Sequence, residues 1–205
     1  GGVGDAEDRL PDITGNYNKA DYGDFNTDGC TDLVLAGFFQ EDPASPPDGL
    51  KGVKNRLLFQ IKEGANCTGR LIEVTDEIIG GEHYLPTRED ITRDVDILYV
   101  NFDDAPDILF TNATYPLPGG DLGDQLFINR GDGSFEDQSW RLPAPSPWDP
   151  HRASVTSCDV DNDGDFDIVQ AVNGDRNRLL INYGGVYFEE SESWGFPTGT
   201  GFSHD

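Results

Sequence analysis

The chain has few basic residues and no methionine. Its 205 residues include 14 Lys and Arg against 39 Asp and Glu, so the formal net charge is −25. Nucleic acids and anionic membrane surfaces are bound through basic patches, so this balance argues against both as partners. The longest apolar run, residues 33–39, is too short to span a bilayer, so we expect no membrane insertion.

Long helices are not expected either. No segment keeps an apolar period of about 3.6 residues, and the 25 Gly and 13 Pro favour frequent turns. The hydrophobic content of 36% is high enough for a packed core. The sequence therefore predicts an all-β protein with many short strands.

Two segments of the chain are close copies of each other. ADYGDFNTDGCTDLVLA occupies residues 20–36, and SVTSCDVDNDGDFDIVQA occupies residues 154–171. In both, acidic or amide residues fall at loop positions 1, 3 and 5, Gly at 6 and Asp at 9, before an apolar run. A weaker copy over residues 92–110 has Tyr99 at position 1 and Asp104 at position 6. We name the acidic loops A, B and C; they begin at Asp24, Tyr99 and Asp159.

A hairpin pattern follows each acidic loop. The segments NRLLFQ, DQLFINRGDGSFED and NRLLINYGGVYFEE begin at residues 55, 124 and 177. The last two are predicted hairpins, and the first has a similar continuation with a longer predicted turn. The inserts over residues 41–54 and 112–123 are expected to be surface loops.

Each unit therefore has about four strands, which is typical of a β-propeller blade. The approximate repeats are residues 16–86, 87–150 and 151–205. Propellers close with about four to eight blades, so three units do not close a ring. We expect residues 1–205 to be a partial β-propeller, completed by further blades or by other chains.

Loops A and C have the composition of calcium sites. Calcium takes oxygen ligands from a flexible loop, and alternating positions turn side-chain oxygens inward. An EF-hand is excluded because position 12 is Leu35 or Gln170 instead of Glu, and a strand follows instead of a helix. Ion-free turns are the alternative, but four such groups within nine residues would repel each other without a cation.

The sequence predicts two calcium ions and leaves a third open. Position 7 of each loop would contribute its backbone oxygen, and the other ligand positions would contribute side-chain oxygens. The predicted ligands are Asp24, Asn26, Asp28, Cys30 and Asp32 in loop A, Asp159, Asp161, Asp163, Asp165 and Asp167 in loop C, and for the doubtful third ion Asn101, Asp103 and Asp107 in loop B.

The three cysteines match neither a zinc site nor a redox motif. Cys30 and Cys67 belong to one repeat and could form a disulfide, whereas Cys158 is expected to be a small buried residue. Sequons for N-glycosylation begin at Asn66 and Asn112, which makes both candidate modification sites.

The acidic loops, with lead-ins such as TRDV and hairpins such as NRGDGSFED, resemble FG-GAP/VCBS-type repeats. These are the calcium-binding blades of integrin α-subunit propellers and of many surface proteins. The resemblance covers residue 16 to the end, and it implies a seven- or eight-bladed propeller with calcium between the first two strands of a blade. It implies the same ligands in loops A and C, whereas loop B departs from the pattern at Tyr99 and Asp104.

The leading functional hypothesis is a non-enzymatic, extracellular, calcium-stabilised propeller segment for adhesion, assembly or ligand display. Its ligand, a protein or a carbohydrate, is not identified by the sequence. A self-assembling extracellular fibre is one alternative, because an incomplete ring leaves strand edges exposed.

A carbohydrate-active enzyme, such as a polysaccharide lyase, is the other alternative, because some of these enzymes resemble the same repeat family. It would need acid and base groups in a cleft. The candidates are His83, His151 and His204 in linkers, the cluster Tyr84, Arg88 and Glu89, and the possible sugar-stacking residues Trp140, Trp148 and Trp194. A solvated loop is the preferred interpretation of the cluster, and the three tryptophans are expected to be buried.

Overall fold

The computed structural model describes residues 9–41, 50–79, 82–101, 103–113, 123–144, 152–172, 177–186 and 188–190. The strands are β1 (Tyr17–Gly23), β2 (Asp32–Gly37), β3 (Phe39–Glu41), β4 (Leu50–Lys54), β5 (Arg56–Glu63), β6 (Asn66–Glu73), β7 (Ile78–Ile79), β8 (Glu82–His83), β9 (Glu89–Asp90), β10 (Thr92–Leu98), β11 (Asp107–Asn112), β12 (Gln125–Asn129), β13 (Phe135–Asp137), β14 (Arg152–Cys158), β15 (Asp167–Val172), β16 (Arg178–Asn182) and β17 (Phe188–Glu190). A short 3₁₀ turn covers Ser139–Arg141. Within the described ranges, no helix has the length and apolarity needed to cross a membrane.

Three four-stranded antiparallel sheets carry the architecture. Their strand orders are β1-β2-β5-β6, β10-β11-β12-β13 and β14-β15-β16-β17, and we call them blades 1, 2 and 3. In each blade an acidic loop joins the first two strands, and a hairpin supplies the last two. Each sheet lies within one of the predicted repeats. The all-β class and the four-stranded units predicted from the sequence are confirmed.

The hydrophobic core lies between neighbouring blades, and blade 2 contributes apolar side chains from both of its faces. One cluster joins blade 1 to blade 2, and a second joins blade 2 to blade 3. Burying each large apolar side chain contributes about 1.5–3 kcal/mol. Representative members are Phe25, Val34, Leu57, Phe110, Phe127 and Phe135 in the first cluster, and Val100, Leu109, Leu126, Ile168, Leu180 and Phe188 in the second.

Equivalent residues on the first strands of the three blades meet through Asp94. Lys19 on β1 pairs with Asp94 Oδ1 at 3.3 Å. Ser154 Oγ on β14 donates to Asp94 Oδ2 at 2.8 Å, and Val155 N donates to the same oxygen at 2.9 Å. One buried carboxylate therefore connects all three blades at their first strands.

Two expectations about blade 1 were wrong. The insert over residues 41–54 contains β4, which pairs with β3 and β9 in a three-stranded sheet, so part of it is not a surface loop. The first hairpin has longer strands instead of a longer turn, since two residues separate β5 from β6 and five separate β12 from β13.

Candidate metal centres

The Asp24 carboxylate lies at the centre of loop A. Its Oδ1 accepts the N–H of Asp28 at 3.0 Å, and its Oδ2 accepts the N–H of Gly29 at 2.8 Å. Asn26 Oδ1 accepts from Asp28 N at 3.2 Å, and Asp28 Oδ1 accepts from Cys30 N at 2.8 Å. The side chains at positions 1, 3 and 5 thus all turn inward onto the backbone of the loop.

Loop C repeats this arrangement. Asp159 Oδ1 and Oδ2 accept the N–H groups of Asp163 and Gly164 at 3.1 and 3.2 Å. Asp161 Oδ1 accepts from Asp163 N at 3.2 Å. Asp159, Asp161 and Asp167 each offer a carboxylate oxygen, and these oxygens lie within 4.8 Å of one another. This set of hard oxygen donors fits calcium.

Both loops depend on residues in the left-handed backbone region. Position 4 has a φ of 55° at Thr27 and 62° at Asn162, and position 6 has a φ of 87° at Gly29 and 101° at Gly164. Glycine adopts such angles without the steric cost of a Cβ. Asp104 at position 6 of loop B does not adopt a positive φ, so loop B follows a different path.

Loop B has its own internal hydrogen bonds, but the buried Oδ1 of Asn101 has no hydrogen-bond partner. Asn101 Nδ2 donates to Asp103 Oδ2 at 2.7 Å, and Asp103 Oδ1 accepts from Ala105 N at 3.0 Å. Tyr99 stands where the other loops have a central carboxylate, and its ring lies 6.4 Å from that of Phe166 in loop C. The third ion predicted for loop B remains open, and its position 1 ligand is missing.

The aspartate at position 9 is buried in every loop, and both of its oxygens accept backbone N–H groups. One donor is position 2 of the loop, and the other is on the third strand of the blade. The donors are Phe25 and Gln60 for Asp32 at 3.0 and 2.8 Å, Val100 and Asn129 for Asp107 at 2.8 and 2.9 Å, and Val160 and Asn182 for Asp167 at 2.8 and 2.9 Å. A carboxylate oxygen has further acceptor capacity, so these bonds are compatible with metal ligation.

Burial shapes the electrostatics of the loops. It raises the pKa of Asp32 and of Asp107 to about 6, against the opposing effect of the backbone N–H groups that bind each carboxylate. Burial also raises the pKa of Asp165 to about 6, and its contact with the Asp163 carboxylate acts in the same direction. The same contact with Asp165 lowers the pKa of Asp163.

Position 7 connects the acidic loop to the hairpin of the same blade. In blade 1 a disulfide joins Cys30 to Cys67 on β6, with a Cα–Cα distance of 5.5 Å. In blade 3 Asp165 Oδ2 accepts the N–H of Gly184 at 2.8 Å, while its buried Oδ1 has no hydrogen-bond partner. The disulfide pairing was open from the sequence alone, and the Asp165 contact was not predicted, because it joins residues 19 positions apart.

The hairpin of blade 2 also packs on loop A. Thr27 Oγ1 donates to Gly131 O at 3.2 Å, and Asn129 Nδ2 donates to Phe25 O at 2.9 Å. A Cβ built at Gly133 would lie 2.5 Å from Cζ of Phe59. The conformation of loop A therefore depends on the neighbouring blade as well as on its own residues.

The cluster after the first hairpin is solvated only in part, since Glu89 is exposed whereas Tyr84 and Arg88 are partly buried. The Tyr84 ring packs edge-on against Phe59, with centroids 5.4 Å apart. Arg88 Nε lies 2.6 Å from Asp90 Oδ2, and Glu89 pairs with a lysine of β4. Each of the three side chains has its own structural partner.

Two expectations of burial were also wrong. Trp140 lies on the 3₁₀ turn after blade 2, and its side chain is 71% exposed with the Arg141 guanidinium over its ring. Cys158 ends β14 just before loop C, and it is exposed at this edge of the sheet. The other candidates lie outside the described residues. These are the side chain of His83 and all atoms of His151, His204, Trp148 and Trp194.

The two sequons differ in accessibility. Asn112 is 3% exposed, and its side-chain nitrogen donates to Asp90 Oδ2 at 3.3 Å and to Gly123 O at 2.9 Å. A glycan would have to be attached to this nitrogen, so the folded chain is incompatible with modification there. Asn66 is exposed beside the β5–β6 turn, and its glycosylation stays a prediction.

Blade-like sheets with acidic loops between their first two strands define an all-β repeat protein. Residues 93–170, which run from β10 to β15 and include loops B and C, match the model of the FG-GAP-like repeat. This match agrees with the resemblance that the acidic loops and hairpins carry. No curated protein matches the chain.

Proposed function

We propose that the chain is a non-catalytic, calcium-binding segment of an extracellular β-propeller that serves adhesion, assembly or ligand display. The observation that carries this proposal is the convergence of the Asp159, Asp161 and Asp167 carboxylates within 4.8 Å. The matching hydrogen-bond pattern of loop A extends it to a second ion.

Calcium at these loops would stabilise the fold locally. In the absence of a cation, the converging carboxylates of each loop repel one another. Loop A also presents Phe25 to the core between blades 1 and 2, so an ordered loop supports the contact between blades. The ion therefore has a structural role in this proposal.

An extracellular location agrees with the disulfide of blade 1 and with the proposed calcium binding. A disulfide such as Cys30–Cys67 persists in oxidising compartments. Calcium sites of extracellular modules have dissociation constants on the order of 10⁻⁴–10⁻³ M, which suits a structural ion in a calcium-rich medium.

Further blades are the proposed assembly partners. Phe25 and Val100 occupy position 2 of loops A and B, and the following blade covers both completely. Val160 is the equivalent residue of loop C, and it is partly exposed. We propose that this side of blade 3 receives another blade, as part of a seven- or eight-bladed ring.

If copies of this chain supply that blade and form fibres instead, sedimentation velocity will show polymers that grow with concentration.

Exposed aromatic rings favour a carbohydrate as the displayed ligand. Trp140 is exposed, and the Tyr99 and Phe166 rings lie together on the side of loops B and C. Such rings can stack on the apolar faces of sugars. Binding without turnover is expected. New unsaturated or reducing ends after incubation with anionic polysaccharides would instead support a lyase or another carbohydrate-active enzyme.

Thermal unfolding with calcium and with a chelator tests the structural role of the ion. Calcium should raise the midpoint of the wild-type chain, because ligands that bind the folded state stabilise it. Asp161→Ala should reduce the gain, whereas Asp12→Asn removes an exposed charge outside the loops and should preserve it. Equal midpoints with and without calcium would contradict the proposal.

A further inference from the structure

The contact between position 7 and the hairpin is covalent in blade 1. Cys30, at position 7 of loop A, is 2% exposed, whereas Cys67 is exposed on β6. Their disulfide joins the loop to the hairpin. The corresponding contact in blade 3 is the hydrogen bond from Gly184 N to Asp165 Oδ2. The two intact loops therefore differ in one chemical respect, since only the contact in blade 1 can be broken by reduction.

The disulfide reaches the predicted ligands of loop A directly. Cys30 N donates to Asp28 Oδ1 at 2.8 Å, and the Cys30 carbonyl is itself the predicted ligand at position 7. Cys67 lies opposite Lys62 in the β5–β6 pair, and the Lys62 ammonium donates to the carbonyl oxygen of Asp28. The β5–β6 hairpin thus contacts loop A at two ligand positions. It contacts position 5 through Lys62 and position 7 through the disulfide.

We propose that the Cys30–Cys67 disulfide sets the calcium affinity of loop A and makes that affinity depend on the redox state of the surroundings. This inference rests on the proposed calcium binding at loop A. With the disulfide intact, the hairpin holds the loop near its ligating conformation before the ion arrives. After reduction, calcium binding has to order the loop, which costs conformational entropy, so the calcium affinity falls.

The chemistry is a two-electron exchange with a dithiol reductant. A thiolate of the reductant attacks the exposed Cys67 sulfur, the S–S bond breaks and Cys30 leaves as a thiolate that takes up a proton. The second thiol of the reductant then displaces Cys67 as a thiol. The protein gains two thiols, and the reductant becomes a disulfide.

The coupling has to be reciprocal. If reduction weakens calcium binding by a given factor, calcium must shift the dithiol–disulfide equilibrium toward the disulfide by the same factor. We expect a factor of about ten, within the usual range for two coupled sites. Loop C should show no change, because it has no disulfide.

Calorimetric calcium titration of loop A tests the inference. Loop C is disabled with Asp161→Ala, and Cys158→Ser removes the third thiol from every sample. The oxidised chain is then compared with the same chain carrying Cys67→Ser. We expect the dissociation constant of loop A to rise about tenfold. A parallel pair with loop A disabled by Asn26→Ala should show equal affinities at loop C.

The thiol–disulfide equilibrium with dithiothreitol gives a second readout that needs no Cys67 variant. The ratio of reduced to oxidised dithiothreitol at half reduction should rise about tenfold at saturating calcium. Equal loop A affinities in the first experiment, or an unchanged equilibrium in the second, would overturn the redox dependence and leave calcium binding intact. Absence of calcium binding by the oxidised chain would overturn both proposals.

Discussion

Asn129 donates its backbone N–H to Oδ1 of Asp107 at 2.9 Å, which joins the third strand of blade 2 to the end of loop B. The other oxygen of Asp107 accepts from Val100 N at 2.8 Å. Blades 1 and 3 make the same pair of bonds through Asp32 and Asp167. Since loop B lacks the carboxylate at position 1, the retained Asp107 has a structural role of its own.

Replacement of Asp107 by Ala should destabilise the fold with or without calcium. Two buried N–H groups would lose a carboxylate acceptor, and a hydrogen bond to a charged group contributes about 1.5–3 kcal/mol. We expect the free energy of unfolding to fall by about 3–5 kcal/mol in urea titrations. Asp12→Ala is the exposed control and should change it little. A loss that is seen only with calcium would show that Asp107 acts through an ion.

Substitutions of two glycines in the β12–β13 turn of blade 2 should distinguish the cost of backbone strain from the cost of a steric clash. Gly131 and Gly133 have φ values of 84° and 83°, but a Cβ at Gly131 meets nothing within 4 Å. At Gly133 it would lie 2.5 Å from Phe59 Cζ and 3.0 Å from Asn26 Cβ. Gly131→Ala should cost about 1–2 kcal/mol of unfolding free energy, and Gly133→Ala about 1–3 kcal/mol more. Equal losses in denaturant titrations would contradict the contact between this turn and loop A.

The carboxyl of Asp96 on β10 should make stability depend on pH. Burial raises its pKa to about 6, and the carboxylates of Asp21 on β1 and Asp94 on β10 add to the shift, while hydrogen bonds with Ser157 on β14 oppose it. Because an Asp in the unfolded chain has a pKa of about 4, the folded state binds this proton more tightly. The stabilising effect of that proton is complete below about pH 4 and is lost as the pH rises through about 6.

Asp96→Asn cannot ionise and keeps an oxygen that can accept a hydrogen bond. At constant calcium, the difference between its urea midpoint and that of the wild type should shift in favour of Asp96→Asn between about pH 4 and pH 6. Above this range the difference should stay constant. Asp21→Asn should show the same trend more weakly, because it removes one of the charges that act on Asp96. A difference between Asp96→Asn and wild type that does not vary with pH would contradict this account.

The fold was predictable where its information is local in the sequence. Acidic loops and hairpins repeat as short patterns, and they identified the four-stranded units with their order. The β4 strand was missed because LKGVK has no alternating pattern and pairs with β9, far along the chain. Contacts such as Lys19 with Asp94 join different repeats, so no pattern within one repeat could reveal them.

The candidate site divides in the same way. Spacing placed Asp159, Asp161 and Asp167 in one loop, and the structure brings their oxygens together. The inward turn of position 1 follows from local backbone geometry and was also predictable. The connection of Asp165 to Gly184 was not, because it depends on how the hairpin folds back over the loop.

Counting bound calcium by equilibrium dialysis tests the central claim most directly. The account predicts two ions per chain, with one lost in Asn26→Ala, one lost in Asp161→Ala, and none lost in the control Asp12→Asn. The first two variants change the same position of the two loops, so they form a matched pair. A chain that binds no calcium at millimolar concentrations, or one whose count is unchanged in both loop variants, would contradict the account.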